Sequence, residues 1–321
     1  MILITGAAGF IGSYLVGYLN SQGRDDLLLV DDFSRKDKQG NLNNKKFKTA
    51  IEREELFTFL ENQNPDLDMV FHLGARTDTT EKEVSIFNHL NLEYSKKIWN
   101  YCTVTKTPLV YASSAATYGL GEWGFIDSDE VTKKLKPLNP YGDSKQQFDL
   151  WALERTDHPP FWAGLKFFNV YGPNEYHKGR MASVPYHIFQ TLNSGKQVKL
   201  FRSHKPGIAD GEQKRDFIYV KDLAQVCWFL FQHQSHSGIY NLGTGKARTF
   251  LDLAKACFSA LNMEPQIAFI DTPEDIRETY QYFTEASMEK LKSIGYLDTF
   301  TELEDGIAEY YQKFLGVGNY F

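Results

Sequence analysis

The stretch Ile2-Leu3-Ile4-Thr5-Gly6-Ala7-Ala8-Gly9-Phe10-Ile11-Gly12 constrains this chain more than any other. Three apolar, mostly β-branched residues predict a short buried strand. Glycine at positions 6, 9 and 12 then predicts a sharp turn into a helix starting near Ser13. Gly6 can take the positive φ of a tight turn, Gly9 allows close approach to a pyrophosphate, and Gly12 lets helix and strand pack together. Free N–H groups and the positive end of the helix dipole would then face phosphates. The spacing is G-x-x-G-x-x-G and so departs from the G-x-G-x-x-G dinucleotide fingerprint. Its context strengthens the reading: Leu27-Leu28-Leu29-Val30 is a second strand ending in Asp31-Asp32. Asp31 is 31 − 12 = 19 positions past Gly12, close to the ~20 at which an acid reaches the adenine ribose.

The 321 residues, 42% of them hydrophobic, suffice for one large or two ordinary domains with a sizeable core. A formal charge of −6 disfavours non-specific nucleic-acid binding, so an anionic substrate must be held by locally gathered cations. Cys102, Cys227 and Cys257 are scattered and form no C-x-x-C pair, which points to neither a disulfide framework nor a zinc site and fits a reducing cytoplasm. No run approaches ~18 apolar residues and the chain opens directly into the glycine turn; neither a membrane span nor an export signal is expected.

In the first half, Ser13 to Ser21 reads as a helix with Tyr14, Leu15, Tyr18 and Leu19 facing inward. The cations of Phe33-Ser34-Arg35-Lys36-Asp37-Lys38 sit where a 2′-phosphate would project and favour NADP, whereas Asp31 and Asp32 favour NAD. Residues 36 to 48 lack an apolar period and read as a surface loop. Glu54 to Gln63 reads as a helix and Met69 to His72 as a strand, with His72 buried at its end. The small residues of Leu73-Gly74-Ala75-Arg76-Thr77 let a cofactor lie against the backbone there. Asn88 to Thr103 reads as one long helix, on which Asn91 could orient a neighbouring loop or stay a surface polar residue.

The strand Pro108 to Ala112 runs into Ser113-Ser114-Ala115-Ala116-Thr117-Tyr118-Gly119, whose hydroxyls fall at a strand's carboxyl end, where substrates of such sheets lie. In Tyr141-Gly142-Asp143-Ser144-Lys145 the first and last residues are four apart and share one helix face. A phenol, with its reference pKa of ~10, is a poor base. A nearby ammonium and an oxidised nicotinamide favour the phenolate, which can accept the proton of an alcohol losing hydride.

The glycine turn, Tyr111 to Gly119 and Tyr141 to Lys145 together resemble the extended short-chain dehydrogenase/reductase superfamily. A closer resemblance, nearly end to end, is to its ADP-L-glycero-D-manno-heptose 6-epimerase family. It rests on Phe167-Phe168-Asn169-Val170-Tyr171-Gly172-Pro173, His177-Lys178-Gly179-Arg180-Met181-Ala182-Ser183-Val184, Lys214 to Val220 and Tyr240 to Gly245, the second being the most specific. The resemblance implies an α/β fold: a Rossmann-type doubly wound parallel sheet with a smaller, interleaved α/β substrate-binding domain. It implies bound NADP, with NAD the alternative. It implies oxidation of the heptose C6 hydroxyl and hydride return to the opposite face, in a cytoplasmic route to lipopolysaccharide core. Two bases are then needed, one per face of the ketone. By this resemblance Tyr141 is one base and Lys178 the other, Ser114 bonds the reacting oxygen, and Lys145 holds the cofactor ribose. A lysine serves as base when burial or nearby cations lower its pKa; its other reading is phosphate binding. The implied cofactor contacts are Gly6, Gly9, Phe10, Ile11, Gly12, Asp31, Asp32, Lys38, Arg53, Leu73, Gly74, Ala75, Arg76, Thr77, Asn91, Lys145, Val170 and Lys178. The implied contacts to the ADP-heptose sugar nucleotide are Asn169, Arg180, His187, Phe201, Arg202, Ser203, His204, Arg215 and Tyr280, with Arg215 suited to the pyrophosphate. A homo-oligomer is implied, a pentamer being one form of it.

Two departures stand out. Arg180 replaces an expected small residue, and can contact phosphate or point to solvent. An extra loop, Lys205-Pro206-Gly207-Ile208-Ala209-Asp210-Gly211, leaves the roles of Arg202, Ser203 and His204 open and should be exposed.

From Asn169 onward the strand–helix alternation weakens. Ala182 to Ser194, Asp222 to Gln232, Thr249 to Leu261 and Thr301 to Phe314 read as helices. Val198 to Phe201, Phe217 to Val220, Gly238 to Leu242 and Ile267 to Ile270 read as strands. Of these, Phe217 to Val220 is expected to return to the first domain and Gly238 to Leu242 to end its sheet. The expected division is 1–168 plus 216–242 for the cofactor and 169–215 plus 243–321 for the substrate. A 4-epimerase or a reductase of another nucleotide sugar is the rival activity. A 4,6-dehydratase would want an acid where Ala115 and Ala116 stand, and a cofactor-sensing scaffold would not need Ser114, Tyr141, Lys145 and Lys178.

Overall fold

A computed structural model of the chain describes residues 1–277 and 280–321. The strands are β1 Ile2–Thr5, β2 Leu27–Asp31, β3 Thr49–Glu52, β4 Met69–His72, β5 Leu109–Ser114, β6 Trp162–Phe167, β7 Asn169–Tyr171, β8 Val198–Phe201, β9 Lys214–Tyr219, β10 Gly238–Leu242, β11 Ala247–Thr249 and β12 Ile267–Ile270. The main helices are α1 Phe10–Ser21, α2 Leu56–Gln63, α3 Tyr94–Thr105, α4 Pro140–Leu153, α5 Val184–Asn193, α6 Val220–Gln232, α7 Phe250–Ala260 and α8 Leu303–Lys313.

Seven strands form the central sheet in the order β10-β6-β5-β4-β1-β2-β3, every pair parallel. The order reverses between β1 and β4, and at such a switch point the loops leaving the strands diverge and open a crevice. Thr5 is in register with both Val30 and His72, so the loops after β1, β2 and β4 leave the sheet at one level. Ile2 and Ile4 pack into the core on one face, Leu3 into that on the other. Helices therefore cover both faces, which is why these strands read as unbroken apolar runs.

Two smaller sheets lie outside it: β7, β9 and β11 form one, β8 and β12 the other. The strand expected over 217–220 is β9, and it pairs with β7 and β11 without joining the central sheet. What returns to the first part of the chain is the helix after it, α6, packed beside α1.

Other boundaries also differ from expectation. Helix α1 begins at Phe10, three residues before Ser13, because Gly9 itself serves as its N-cap. Residues 36–48 are not a plain surface loop: Lys36–Leu42 forms a 3-10 turn that buries Asn41, and β3 follows it with only Ile51 buried. One buried residue in four gives no period to read. The helix expected from Asn88 contains a wide π turn, Asn88–Glu93, that turns Asn91 inward before α3 begins. π turns of this kind are frequent at functional sites. Thr249 caps α7 in a reciprocal capping box with Asp252.

Candidate active site

At Gly6 φ is +68°, and an added Cβ would stand 2.7 Å from Gly74 Cα. At Gly12 an added Cβ would lie 2.1 Å from the Gly6 carbonyl oxygen. The turn is therefore packed backbone on backbone, a cradle that any side chain would fill. The N-terminus of α1 has no side-chain cap, so the first-turn amides around Phe10, Ile11 and Gly12 stay available to a phosphate. This observation fits a dinucleotide.

Asp31 braces the turn: its Oδ2 accepts from Ala8 N at 2.8 Å, and its Oδ1 accepts from Asp32 N at 2.7 Å and Lys38 Nζ at 2.8 Å. Asp32 accepts from Ser34 Oγ at 2.5 Å, and Arg53 and Lys38 are near enough to hold its carboxyl below the usual range after that bond. Asn41 adds a brace that its Lys- and Asn-rich surroundings gave no hint of. Its Nδ2 donates to Ala8 O at 2.9 Å and Asn174 O at 3.0 Å, and lies 3.2 Å from His177 Nδ1.

After β4, Gly74 N donates to Thr5 Oγ1 at 3.0 Å. Asn91 fixes the next step, accepting from Arg76 N at 2.8 Å while its Nδ2 donates to Arg76 O at 3.0 Å and Ser144 Oγ at 2.9 Å. Of its two readings, the one that orients a loop is the geometry found, and the same side chain ties that loop to α4. The Arg76 guanidinium pairs with Glu81 at 3.2 Å, leaving its buried Nε without a partner. Ala75 and Thr77 complete this loop beside it. His72 is buried, with Nδ1 2.7 Å from Thr5 Oγ1 and Nε2 2.8 Å from Ser95 Oγ. Burial pushes its pKa down to about 3, so it is neutral.

Helix α4 is started by Asn139, which accepts from Gly142 N at 2.8 Å, and by Pro140 in its first turn. At Gly142 an added Cβ would stand 2.9 Å from Ala116 O, so glycine lets α4 reach the turn after Ser114. Tyr141, half-buried, thereby meets Ser114: burial pushes its phenol up and the Ser114 hydroxyl pulls it down. Lys145 Nζ donates to Ala112 O at 2.8 Å, and burial pushes its pKa down to about 8 against the opposing pull of Asp149.

Lys178 comes from the other part of the chain, on the 3-10 turn Tyr176–Met181, with Nζ 5.4 Å above the Phe10 ring. Burial lowers its pKa below the ordinary lysine value, and Glu175 opposes this. Of the two readings of Arg180, its exposed side chain is in keeping with the one that points it to solvent, and it also pairs with Asp78 at 3.4 Å and hydrogen-bonds Thr80, linking the loop after β4 to the Lys178 turn.

Asn169 is exposed and Val170 half-buried on β7. His187 on α5 reaches Arg180 O through Nε2 at 3.3 Å. Arg215 is 7% exposed, its guanidinium 5.4 Å from the Tyr280 ring and 5.6 Å from that of Phe250, with its nitrogens on Lys214 O and Gln281 O. Phe201 meets Tyr280 edge-on, with centroids 6.0 Å apart. The extra loop is largely exposed, as expected, and it holds its neighbours: Arg202 pairs with Asp210 at 3.6 Å and Asp271 at 3.7 Å, and Ser203 N donates to Asp210 at 2.9 Å. His204 Nε2 accepts from Thr272 N at 3.3 Å.

Residues 2–243 match the model of the NAD dependent epimerase/dehydratase family. The chain is 45% identical to an ADP-L-glycero-D-manno-heptose-6-epimerase of Fusobacterium nucleatum, over 98% of each chain. It is 47% identical to one of Nitratidesulfovibrio vulgaris, over 100% of each. Its fold superposes on the crystal structure of the Helicobacter pylori ADP-L-glycero-D-manno-heptose-6-epimerase with a TM-score of 0.80 at 27% identity, covering 97% of this chain and 95% of that one. No helix among the described residues is long and apolar enough to cross a membrane.

Proposed function

Because the chain belongs to the NAD dependent epimerase/dehydratase family, and there to the ADP-L-glycero-D-manno-heptose-6-epimerases, we propose that it interconverts ADP-D-glycero-D-manno-heptose and ADP-L-glycero-D-manno-heptose. What supports this reading is the placement of a phenol and an amine on separate elements at one sheet edge. Tyr141 stands beside Ser114 at the end of β5, and Lys178 stands over Phe10 at the start of α1. A simple dehydrogenase needs one such group. An epimerase that oxidises C6 and reduces it from the other side needs one for each face.

A nicotinamide dinucleotide bound in the crevice supplies the hydride acceptor and donor. Tyr141 takes or returns the C6 hydroxyl proton on one face and Lys178 on the other, while Ser114 bonds the same oxygen. Lys145, pointing from α4 to the end of β5, holds the ribose. Lys38 and Arg53, beside Asp31 and Asp32, suit a 2′-phosphate and favour NADP: Asp31 is already engaged by Ala8, Asp32 and Lys38. The α1 amides with Phe10, Ile11 and the loop 73–77 line the cofactor, and Val170 adjoins it. Residues 169–215 plus 243–321 supply the sugar-nucleotide side, with Arg215 and Tyr280 on the ADP and Asn169, Arg180, His187 and Phe201 to His204 around it. The protein acts as a cytoplasmic homo-oligomer.

Incubation with ADP-D-glycero-D-manno-heptose, followed by proton NMR at C6, tests substrate and reaction together. Growth of the L-glycero epimer to equilibrium without net NADPH is the expected result. Stoichiometric reduced cofactor, or inversion at C4 of another nucleotide sugar with C6 unchanged, would overturn it.

A further inference from the structure

The loop from Gly172 to Ser183 is closed by one side chain. Glu175 Oε1 accepts from Gly172 N at 3.3 Å and from Ser183 Oγ at 2.6 Å, and Oε2 accepts from Ser183 N at 2.5 Å. Tyr310 on α8 adds a fourth donor, its Oη 3.0 Å from Oε1. Glu175 has no exposed surface. A fully buried carboxylate that gathers donors from both ends of a loop and from a distant helix fixes that loop's shape.

Lys178 sits at the middle of this loop, its backbone N donating to Glu175 O at 2.9 Å. Asn41 pins the same turn to the glycine turn through Asn174 and His177. Beside Lys178, His177 shares its turn and faces Asn41, Lys38, Arg35 and Asp37, and α1 presents the Phe10 ring; around Glu175 stand Tyr310 and Tyr311 of α8 with Tyr176 and Tyr186. Among these, Glu175 is the carboxylate that acts on the lysine.

We propose that Glu175 is a positioning residue for Lys178, closing the loop that aims the amine and keeping a carboxylate near it. This rests on the reading of Lys178 as a base. The two roles can be separated. Removing the negative charge favours the neutral amine, so the acidic limb of the rate profile moves to lower pH; loosening the loop misplaces the amine and lowers kcat whatever the pH.

The test measures kcat, KM and the pH profile of epimerisation for Glu175→Gln, Glu175→Asp and Lys178→Met, with the unmodified protein beside them. Glu175→Gln is expected to lose about tenfold or more in kcat with KM within about threefold, its acidic limb moved down by about half a pH unit or more. Glu175→Asp keeps the charge but retreats from Gly172 and Ser183; it is expected to lose kcat with the limb in place. Should Glu175→Gln not fold, Tyr310→Phe, which takes one donor from the same carboxylate, carries the test through a loss of about threefold in kcat. An unmoved limb and full kcat in the variant that folds, with Lys178→Met inactive, overturn the proposal. Full turnover by Lys178→Met overturns instead the base assignment on which it rests.

Discussion

Replacing Lys166 by methionine would take the ammonium from a charge pair with no exposed surface on either side chain. Lys166 Nζ lies 2.8 Å from Asp149 Oδ2 and donates to Thr117 Oγ1, also at 2.8 Å. Asp149 further accepts from Tyr111 Oη at 3.0 Å and Ser113 Oγ at 2.7 Å. The network joins α4, one turn beyond Lys145, to β5 and β6 directly beneath Ser114. In Lys166→Met the carboxylate keeps its two hydroxyl donors but loses its counter-charge, and breaking a buried pair in this way costs about 3–5 kcal/mol. At about 2–4 °C per kcal/mol for a domain of this size, the melting temperature falls on the order of 10 °C. The double variant Asp149→Leu/Lys166→Met removes both charges of the pair. It orphans the hydroxyls of Tyr111 and Ser113 at about 1 kcal/mol each, while Thr117 keeps its bond to Ser114 O at 2.8 Å; offset by new apolar packing, the double variant should lie within about 2 kcal/mol of the parent. Urea unfolding followed by tryptophan fluorescence gives the three differences at matched slopes. Additive losses in the two single variants and the double, with a coupling below about 1 kcal/mol, would refute the account of the pair as a mutually compensated buried unit.

Four further outcomes are expected. Tyr141→Phe and Lys178→Met should each retain cofactor, measured by absorbance of the purified protein, while losing about 10² or more in epimerisation rate. Gly12→Ala sets a Cβ 2.1 Å from Gly6 O, so the turn must open; cofactor affinity measured by titration calorimetry should fall about tenfold or more, the equivalent of an overpacking strain above ~1.4 kcal/mol. Arg53→Ala should weaken NADP more than NAD in the same assay, and equal weakening would remove the 2′-phosphate contact. His72 has a native pKa of about 3, below its ordinary 6.5, so the unfolded chain binds its proton first as pH falls. The stability His72 gives is whole above pH ~6.5 and is lost as pH falls toward its native value, with about 2 kcal/mol gone by pH 5. Urea midpoints for His72→Gln that track the parent between pH 7.5 and 5 would count against this.

Much of the site was legible because its signals are local. Gly6 and Gly12 state their backbone requirement in their spacing, Tyr141 and Lys145 share a face by helix geometry alone, and Thr249 with Asp252 announces the start of α7. Burial on both faces of the parallel sheet leaves strands 1, 2, 4 and 5 as plain apolar runs. β3, half-exposed at the sheet edge, carries no such mark. Tyr141 illustrates the limit of spacing: a shared helix face puts Lys145 beside the phenol, but it says nothing of the Ala112 carbonyl to which the amine donates.

What the residues determined by themselves, then, is the strand–turn–helix cradle and the parallel sheet, each set by contacts within a few positions of the chain, while the candidate reactive groups came from the resemblance of their motifs. Only the tertiary structure decided how those groups are held. Asn41 meets Asn174 across 133 residues and His177 across 136, Arg180 meets Asp78 across 102, and Glu175 meets Tyr310 across 135. A hydrogen bond between such distant residues leaves no period and no spacing, because the chain between them can take any path that returns it to the same edge of the sheet.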